Sequence, residues 1–153
     1  MKFTPRSYKF LINVYPPYLG TGIRVDHVDS DWKALRVSMS MRWYNRNAVG
    51  THFGGSLYSM VDPHVMILLM QLLGNDFVVW DHSASIEYVK ASKERVTAEI
   101  AISDKKLSEI HQKTRNGEKF YAKFDIDIIG SSGELVAKAH KTIYIRRKLP
   151  QAT

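Results

Sequence analysis

Gly54-Gly55-Ser56-Leu57-Tyr58-Ser59-Met60-Val61-Asp62-Pro63-His64-Val65-Met66-Ile67-Leu68-Leu69-Met70-Gln71-Leu72-Leu73 is the run that decides how this chain folds. Leu57, Met60, Val61, Val65 and the series from Ile67 to Leu73 make it apolar nearly all round towards its end, and a helix without a polar face is a buried one. Gly74-Asn75 then supplies a helix stop. The run predicts a central helix over 54–74. Its length would also suit a bilayer. Asp62, Pro63 and His64 lie inside it, however, and a carboxylate in hydrocarbon is costly, so no membrane is expected and the helix belongs in a protein core.

The flanking sequence reads as strands. Ile23 to Val28 is a short one. From Trp32 to Trp43 the period is two, with Leu35, Val37, Met39 and Met41 facing one way and Arg36, Ser38, Ser40 and Arg42 the other. Downstream, Val78, Trp80, Ala84, Ile86 and Tyr88 alternate with Asp81, Ser83, Ser85 and Glu87. The same alternation recurs in Arg95 to Ser103, in Lys119 to Ile129 and in Glu134 to Arg147, where Leu135, Ala137, Ala139, Ile143 and Ile145 share a face. Gly130-Ser131-Ser132-Gly133 is a hairpin turn. Thr4 to Tyr15 reads as an amphipathic helix that Pro16-Pro17 stops, within an N-terminal helical segment over 1–20. Asp104 to Asn116 is polar, a short helix or a wide loop. Strands with one apolar and one polar face form antiparallel sheets, and their apolar faces find cover on the one apolar helix. The expectation is a single α+β domain over 1–153, a curved antiparallel sheet wrapped around one long helix.

Composition narrows the function. The 153 residues are 44% hydrophobic and 24% charged, ordinary for a globular domain that buries roughly two thirds of its unfolded surface. The absence of cysteine removes disulfides, thiol catalysis and thiolate metal sites, and fits a reducing compartment. No secretory apolar stretch follows the basic start, and the expected location is cytoplasmic. The formal net charge is +7, which attracts polyanions. The positive residues are scattered, and no nucleic-acid signature accompanies them. The densest run, Arg146-Arg147-Lys148, is either a solvated tail or an anion contact. No histidine spacing suits a metal.

Chemistry concentrates before and within the central helix. Gly54-Gly55 opens it with amides that no side chain screens, and such a terminus favours negative charge. Asp62 lies about two turns further on, and a carboxylate in an apolar helix needs a reason. Two readings stay open. Asp62-Pro63 is also a good N-cap with its first helical residue, in which case the helix starts there. Otherwise Pro63 lies inside a helix, at a cost of roughly 3 kcal/mol or a kink.

The run Asn47…Gly50…Phe53-Gly54-Gly55…Leu57…Val61-Asp62 resembles the hot-dog acyl-CoA thioesterases of the phenylacetate-pathway type. Gly50-Thr51-His52-Phe53-Gly54-Gly55-Ser56-Leu57-Tyr58, with Val79-Trp80-Asp81 and the ending Lys141-Thr142-Ile143-Tyr144-Ile145-Arg146, is similar to a domain-of-unknown-function branch of that superfamily. The resemblance implies a hot-dog fold and an acyl-CoA thioesterase needing no cofactor beyond the coenzyme A of its substrate. It implies self-association to a dimer or tetramer. In such enzymes an Asn at the place of Asn47 helps hold the thioester or the water, a glycine at Gly54, with Gly55 beside it, gives its N–H to the thioester oxygen, and an acid at Asp62 is general base or nucleophile in a site built across a subunit interface. Asp81 and Ser83 are the candidates for the assisting residue from the next strand. Phe53 stands where the family has a histidine, and His52 lies one residue earlier; both are expected to line the substrate. Arg146 is the candidate contact for CoA phosphates. Phe53 and Pro63 depart from the family pattern, and a non-catalytic acyl-CoA or fatty-acyl binding protein is the alternative reading.

Overall fold

The computed structural model describes residues 3–149. Strands β1 (Ile23–Val28), β2 (Ala34–Met39), β3 (Phe77–Tyr88), β4 (Val96–Ala101), β5 (Lys119–Gly130) and β6 (Leu135–Arg147) form one antiparallel sheet in the order β1-β2-β4-β5-β6-β3. The period of two sets its inner face. Leu35, Val37 and Met39, then Val96, Ala98 and Ile100, then Ala122, Ile126 and Ile128, then Ala137, Ala139, Ile143 and Ile145 are all buried. Against them pack Met60, Val61, Val65, Leu68 and Leu69, completely buried and contributing roughly 1.5–3 kcal/mol each by leaving water. The opposite flank of the helical run, with Met66, Ile67, Met70 and Leu72, is only half-buried, so the run is not enclosed all round as its composition suggests.

Several elements differ in extent from their sequence pattern. Trp32 takes a left-handed φ of 63° in the turn before β2, which delays the strand to Ala34. Pro16-Pro17 ends α1 (Pro5–Asn13) but also opens α2 (Pro16–Thr21), because the first helical position has no intrahelical use for an amide. The polar stretch after β4 contains α5 (Asp104–Lys113), started by the Ser103 side chain accepting from the Lys106 N–H and held to the core by buried Ile110.

The central run is helical in two pieces, α3 (Gly54–Ser59) and α4 (His64–Leu73), joined by a turn over 60–63. Neither reading of Asp62-Pro63 holds alone: the first helix does begin at the glycines, and Pro63 precedes the second. Proline has no amide hydrogen to give the carbonyl four residues back, which leaves the Ser59 carbonyl free. The Tyr18 hydroxyl of α2 donates to it at 3.1 Å. Tyr18 also lies 2.8 Å from His64 Nε2, and Tyr8 of α1 lies 2.9 Å from His64 Nδ1. One arrangement of hydrogens satisfies all of them: Tyr8 donates to Nδ1, Nε2–H donates to the Tyr18 oxygen, and Tyr18 donates to Ser59. The two N-terminal helices thus dock through their one buried tyrosine each onto the break in the central run.

Burial, followed by the nearby Lys141 charge, pushes the His64 imidazole down to about 3. An unfolded imidazole takes its proton near 6.5. Below that pH the unfolded chain binds a proton that the folded chain refuses, so stability falls as the pH drops, by up to about 1.4 kcal/mol per pH unit. Urea melts between about pH 7 and 5 should show this slope in the native protein and lose it in His64→Gln. Tyr18→Phe, which strands both His64 and the Ser59 carbonyl, should cost about 1–3 kcal/mol at neutral pH in the same melts.

Candidate active site

Asp62 sits in the turn between α3 and α4, and its side chain is 46% exposed. Its Oδ1 accepts the Tyr58 hydroxyl at 2.6 Å and the Lys141 ammonium at 3.0 Å. None of these contacts uses Oδ2. Lys141 Nζ also donates to the Asp62 backbone carbonyl and lies 2.6 Å from Asp81 Oδ1. Burial drives the Asp62 carboxyl upward, but the Tyr58 hydroxyl and the Lys141 ammonium outweigh it and hold the group below the ordinary carboxylate range. Burial, together with the neighbouring Asp62, pushes the Tyr58 hydroxyl upward, so it stays a proton donor to the carboxylate.

Asp81 arrives there through a bulge. In the pairing of β3 with β6, Asp81 faces Ile143 and Ser83 faces Thr142, leaving His82 as the extra residue. The bulge exchanges the two faces of the strand. Asp81 joins the inward side with Lys141, while Ser83 turns outward with Thr142. Simple alternation put Asp81 and Ser83 on one face and Val78 and Trp80 with Ala84, Ile86 and Tyr88. That pattern is overturned: Trp80 stacks on Tyr144 on the outer face, ring centroids 4.5 Å apart, whereas Tyr88 lies inward against α3.

The remaining expected residues are dispersed. Gly54 and Gly55 open α3 after Phe53, and their own N–H groups precede the first helical bonds, which start at Ser56 N and Leu57 N. Both glycines are tightly walled. A Cβ on Gly54 would come within 2.9 Å of the Tyr88 ring, and one on Gly55 within 2.6 Å of the Phe53 ring. Asn47 is engaged by its own loop: its Nδ2 donates to Thr51 Oγ1 and the His52 carbonyl, and its Oδ1 accepts from the Val49 and Thr51 amides. His52 is buried, its Nε2–H donating to the Glu94 carbonyl at 2.6 Å and its Nδ1 left without a hydrogen-bond partner. Phe53 is exposed. Arg146 faces outward beside Lys119 and Val78, on the opposite side of the sheet from Asp62. The structure therefore brings Asp62 and Asp81 together and leaves Asn47, His52, Ser83 and Arg146 apart from them. Among the described residues no cluster of histidine, aspartate and glutamate could hold a metal ion.

Tyr58 and Lys141 were not singled out by the sequence reading. Each left a trace in it. Tyr58 lies four residues before Asp62, one turn away on a helix. Lys141 occupies an apolar-face position of β6, between Ala139 and Ile143.

A family model described as a domain of unknown function, DUF4442, matches residues 6–145. The chain belongs to that family. No curated protein matches the DUF4442 chain in sequence. Solved structures match it in fold. One is a Pseudomonas aeruginosa protein of unknown function called a probable thioesterase, 14% identical, with 96% of this chain and 98% of that one covered at a TM-score of 0.80. Another is a Haemophilus influenzae thioesterase, 13% identical, covering 100% and 97% at 0.69. A third is thioesterase superfamily member 2 from Mus musculus, 17% identical, covering 94% and 98% at 0.66. At these identities the likeness is one of fold, and the fold is hot-dog.

Two clefts of the DUF4442 chain lie elsewhere. One of about 740 Å³ is lined by Arg6, Lys9, His27 and Asp31, and one of about 610 Å³ by Phe10, Val14, Leu19 and Tyr44. Neither is lined by Asp62. Asp62 is linked instead, through Lys141, to Asp81 of β3, which among the described residues is an edge strand paired with β6.

A carboxyl whose folded pKa is lowered contributes stability above its unfolded value and loses it as the pH falls through the folded one. For Asp62 that window opens at about pH 4 and extends downward. Acid titration followed by circular dichroism should show Asp62→Asn with a smaller loss of stability across this window than the native chain.

Proposed function

We propose that this DUF4442 domain is a thioester hydrolase acting on acyl-CoA, with Asp62 as general base or nucleophile. The observation that carries the reading is the state of Asp62: an ionised carboxylate, half-exposed, with one oxygen pinned by Tyr58 and Lys141 and the other unclaimed. A general base must be deprotonated, accessible and aimed, and Asp62, the single carboxylate of the central run, meets these three conditions. Oδ2 takes a proton from water as the water oxygen adds to the thioester carbon; the tetrahedral intermediate collapses with cleavage of the C–S bond, and the departing CoA sulfur takes the proton back from Asp62. Gly54 N–H, with Gly55 N–H beside it, is the donor to the oxyanion, where one such contact is worth about 3 kcal/mol.

Gly54 opens α3, and Asp62 lies past its end in the turn over 60–63. An oxyanion donor and a base acting on one carbonyl must each lie about 3 Å from it. The resemblance to hot-dog thioesterases implies a site built across a subunit interface, and the proposed site accordingly takes Asp62 from one copy and Gly54 from another. The free edge of β3 is where a second copy would continue the sheet. Arg146, on the outer face, would meet CoA phosphates lying along the surface. The reaction calls for no cofactor beyond the substrate's own coenzyme A.

The aromatic rings over the glycines favour a second reading. With Tyr88 on Gly54 and Phe53 on Gly55, the protein would hold an acyl-CoA at the start of α3 without cleaving it. A series of acyl-CoA thioesters with a thiol-reactive reporter separates the two. Free CoA should appear with the native protein, and Asp62→Asn should lose roughly 10²–10⁴-fold in kcat with its fold intact. Unchanged turnover in the variant would remove Asp62 from the reaction, and tight binding without release would support the second reading. Sedimentation at micromolar concentration should show at least a dimer; a monomer would contradict the shared site.

A further inference from the structure

A lysine with no exposed side-chain surface is rare in any protein unless charges surround it, and Lys141 is completely buried. Its place on β6, opposite Ala84 and between Ala139 and Ile143, is otherwise a place for an apolar residue. An ammonium has three hydrogens to donate and no acceptor. Here there are three acceptors: Asp62 Oδ1 at 3.0 Å, the Asp62 carbonyl, and Asp81 Oδ1 at 2.6 Å. The Tyr58 ring also lies beside the ammonium, with its centroid 5.9 Å away. Every donor is spent inside the protein, so Lys141 has none left for a substrate. Two of the three go to Asp62, one to its backbone carbonyl and one to the carboxylate oxygen that also accepts the Tyr58 hydroxyl.

We infer that Lys141 is a positioning residue for the proposed hydrolysis: clamped in place by Asp81, it fixes both the backbone and Oδ1 of Asp62, so that Oδ2 alone is presented to the reacting water. The inference rests on the hydrolase reading and deepens it. The groups bearing on Asp62 are Tyr58 from α3, His64 from α4, Tyr18 from α2, Lys141 from β6 and, through Lys141, Asp81 from β3. Among them Lys141 favours the carboxylate by its charge and Tyr58 by its hydrogen bond. Asp81 competes for the same ammonium and is itself a like charge.

The two partners of this clamp should therefore act in opposite directions on the pH dependence. In Lys141→Met, Asp62 loses its counter-charge and keeps Asp81 as a repelling neighbour. The acid limb of kcat/KM should move up by about one pH unit or more, which is a tenfold or greater loss at a fixed pH on that limb. In Asp81→Asn, Lys141 is left to Asp62 alone, and the limb should move down. A lysine that merely held the fold would lower the rate in both variants without moving the limb, and that result, or shifts of the same sign, would overturn the assignment. If Lys141→Met does not fold, the double variant Lys141→Met/Asp81→Asn removes the unpaired charge, and its limb should lie above that of Asp81→Asn; coincident limbs would overturn the assignment. A carboxyl-carbon NMR titration of Asp62, identified by the signal missing in Asp62→Asn, reads the same shifts without turnover. Opposite NMR shifts in a protein that cleaves no acyl-CoA would refute the hydrolase while upholding the clamp, whereas an Asp62 titration unmoved by Lys141→Met would refute the clamp in an active enzyme.

Discussion

Proline carries no amide hydrogen, and at position 63 that one missing donor organises the middle of the molecule. An uninterrupted helix would bond the Ser59 carbonyl to the amide of residue 63. With proline there, Tyr18 reaches that carbonyl, and in the turn that results Lys141 reaches the carbonyl of Asp62. Buried carbonyls have to find donors, and the donors found here come from opposite ends of the chain. The N-terminal helices are fastened from one side and the last strand from the other, with His64 filling the space between the tyrosines. The break also ends the α3 helix close to Asp62, so its carboxylate stands on a turn, out of line with the apolar face that continues through α4.

Electrostatics at that turn depends on an arrangement with an odd number of charges. One buried cation between two carboxylates leaves one negative charge over, and the partly exposed Asp62 is well placed to carry it. Burying the charges costs several kcal/mol per ion in principle. Here the cost is moderated because both acids reach solvent while the lysine, with its three donors satisfied, does not. Such a cluster is poor evidence for stability, since apolar replacements of buried ion pairs are often as stable. Its value is in specifying which oxygen is held and which is open.

Much of the fold was legible. The inner faces of β2 and β4, of β5 up to Ile128 and of β6 from Ala137 follow a period of two, whereas a register shift between Ile128 and Ile129 pairs Leu135 with Ile129 and takes it off the face it was expected to share. The candidate site was legible only in part. Asp62 announced itself as a charge in an apolar run, and the glycine pair as a bare helix start. The meaning of Pro63 depended on whether any side chain could meet the carbonyl it frees, and that side chain, Tyr18, lies 41 residues away in sequence. Lys141 is 79 residues from Asp62; its polarity in an apolar register was visible, its partner was not. In β3 Val78 and Trp80 share even numbers with Ala84, Ile86 and Tyr88 beyond His82, which hid the extra residue. His82, polar at an apolar position, hinted at it, as did Phe77 and Val79, apolar on odd numbers.

That extra residue lets Asp81 and Ser83 lie on opposite faces although their numbers share a parity. Their partners Ile143 and Thr142 are already consecutive in β6, so a β3 without His82 would close its pairing in plain alternation, with Trp80 still outward and Asp81 still inward on its cation. The strand thus tolerates the loss of a residue at this point. A substitution-free gain of one residue elsewhere in β3 would instead turn half of its side chains to the other face.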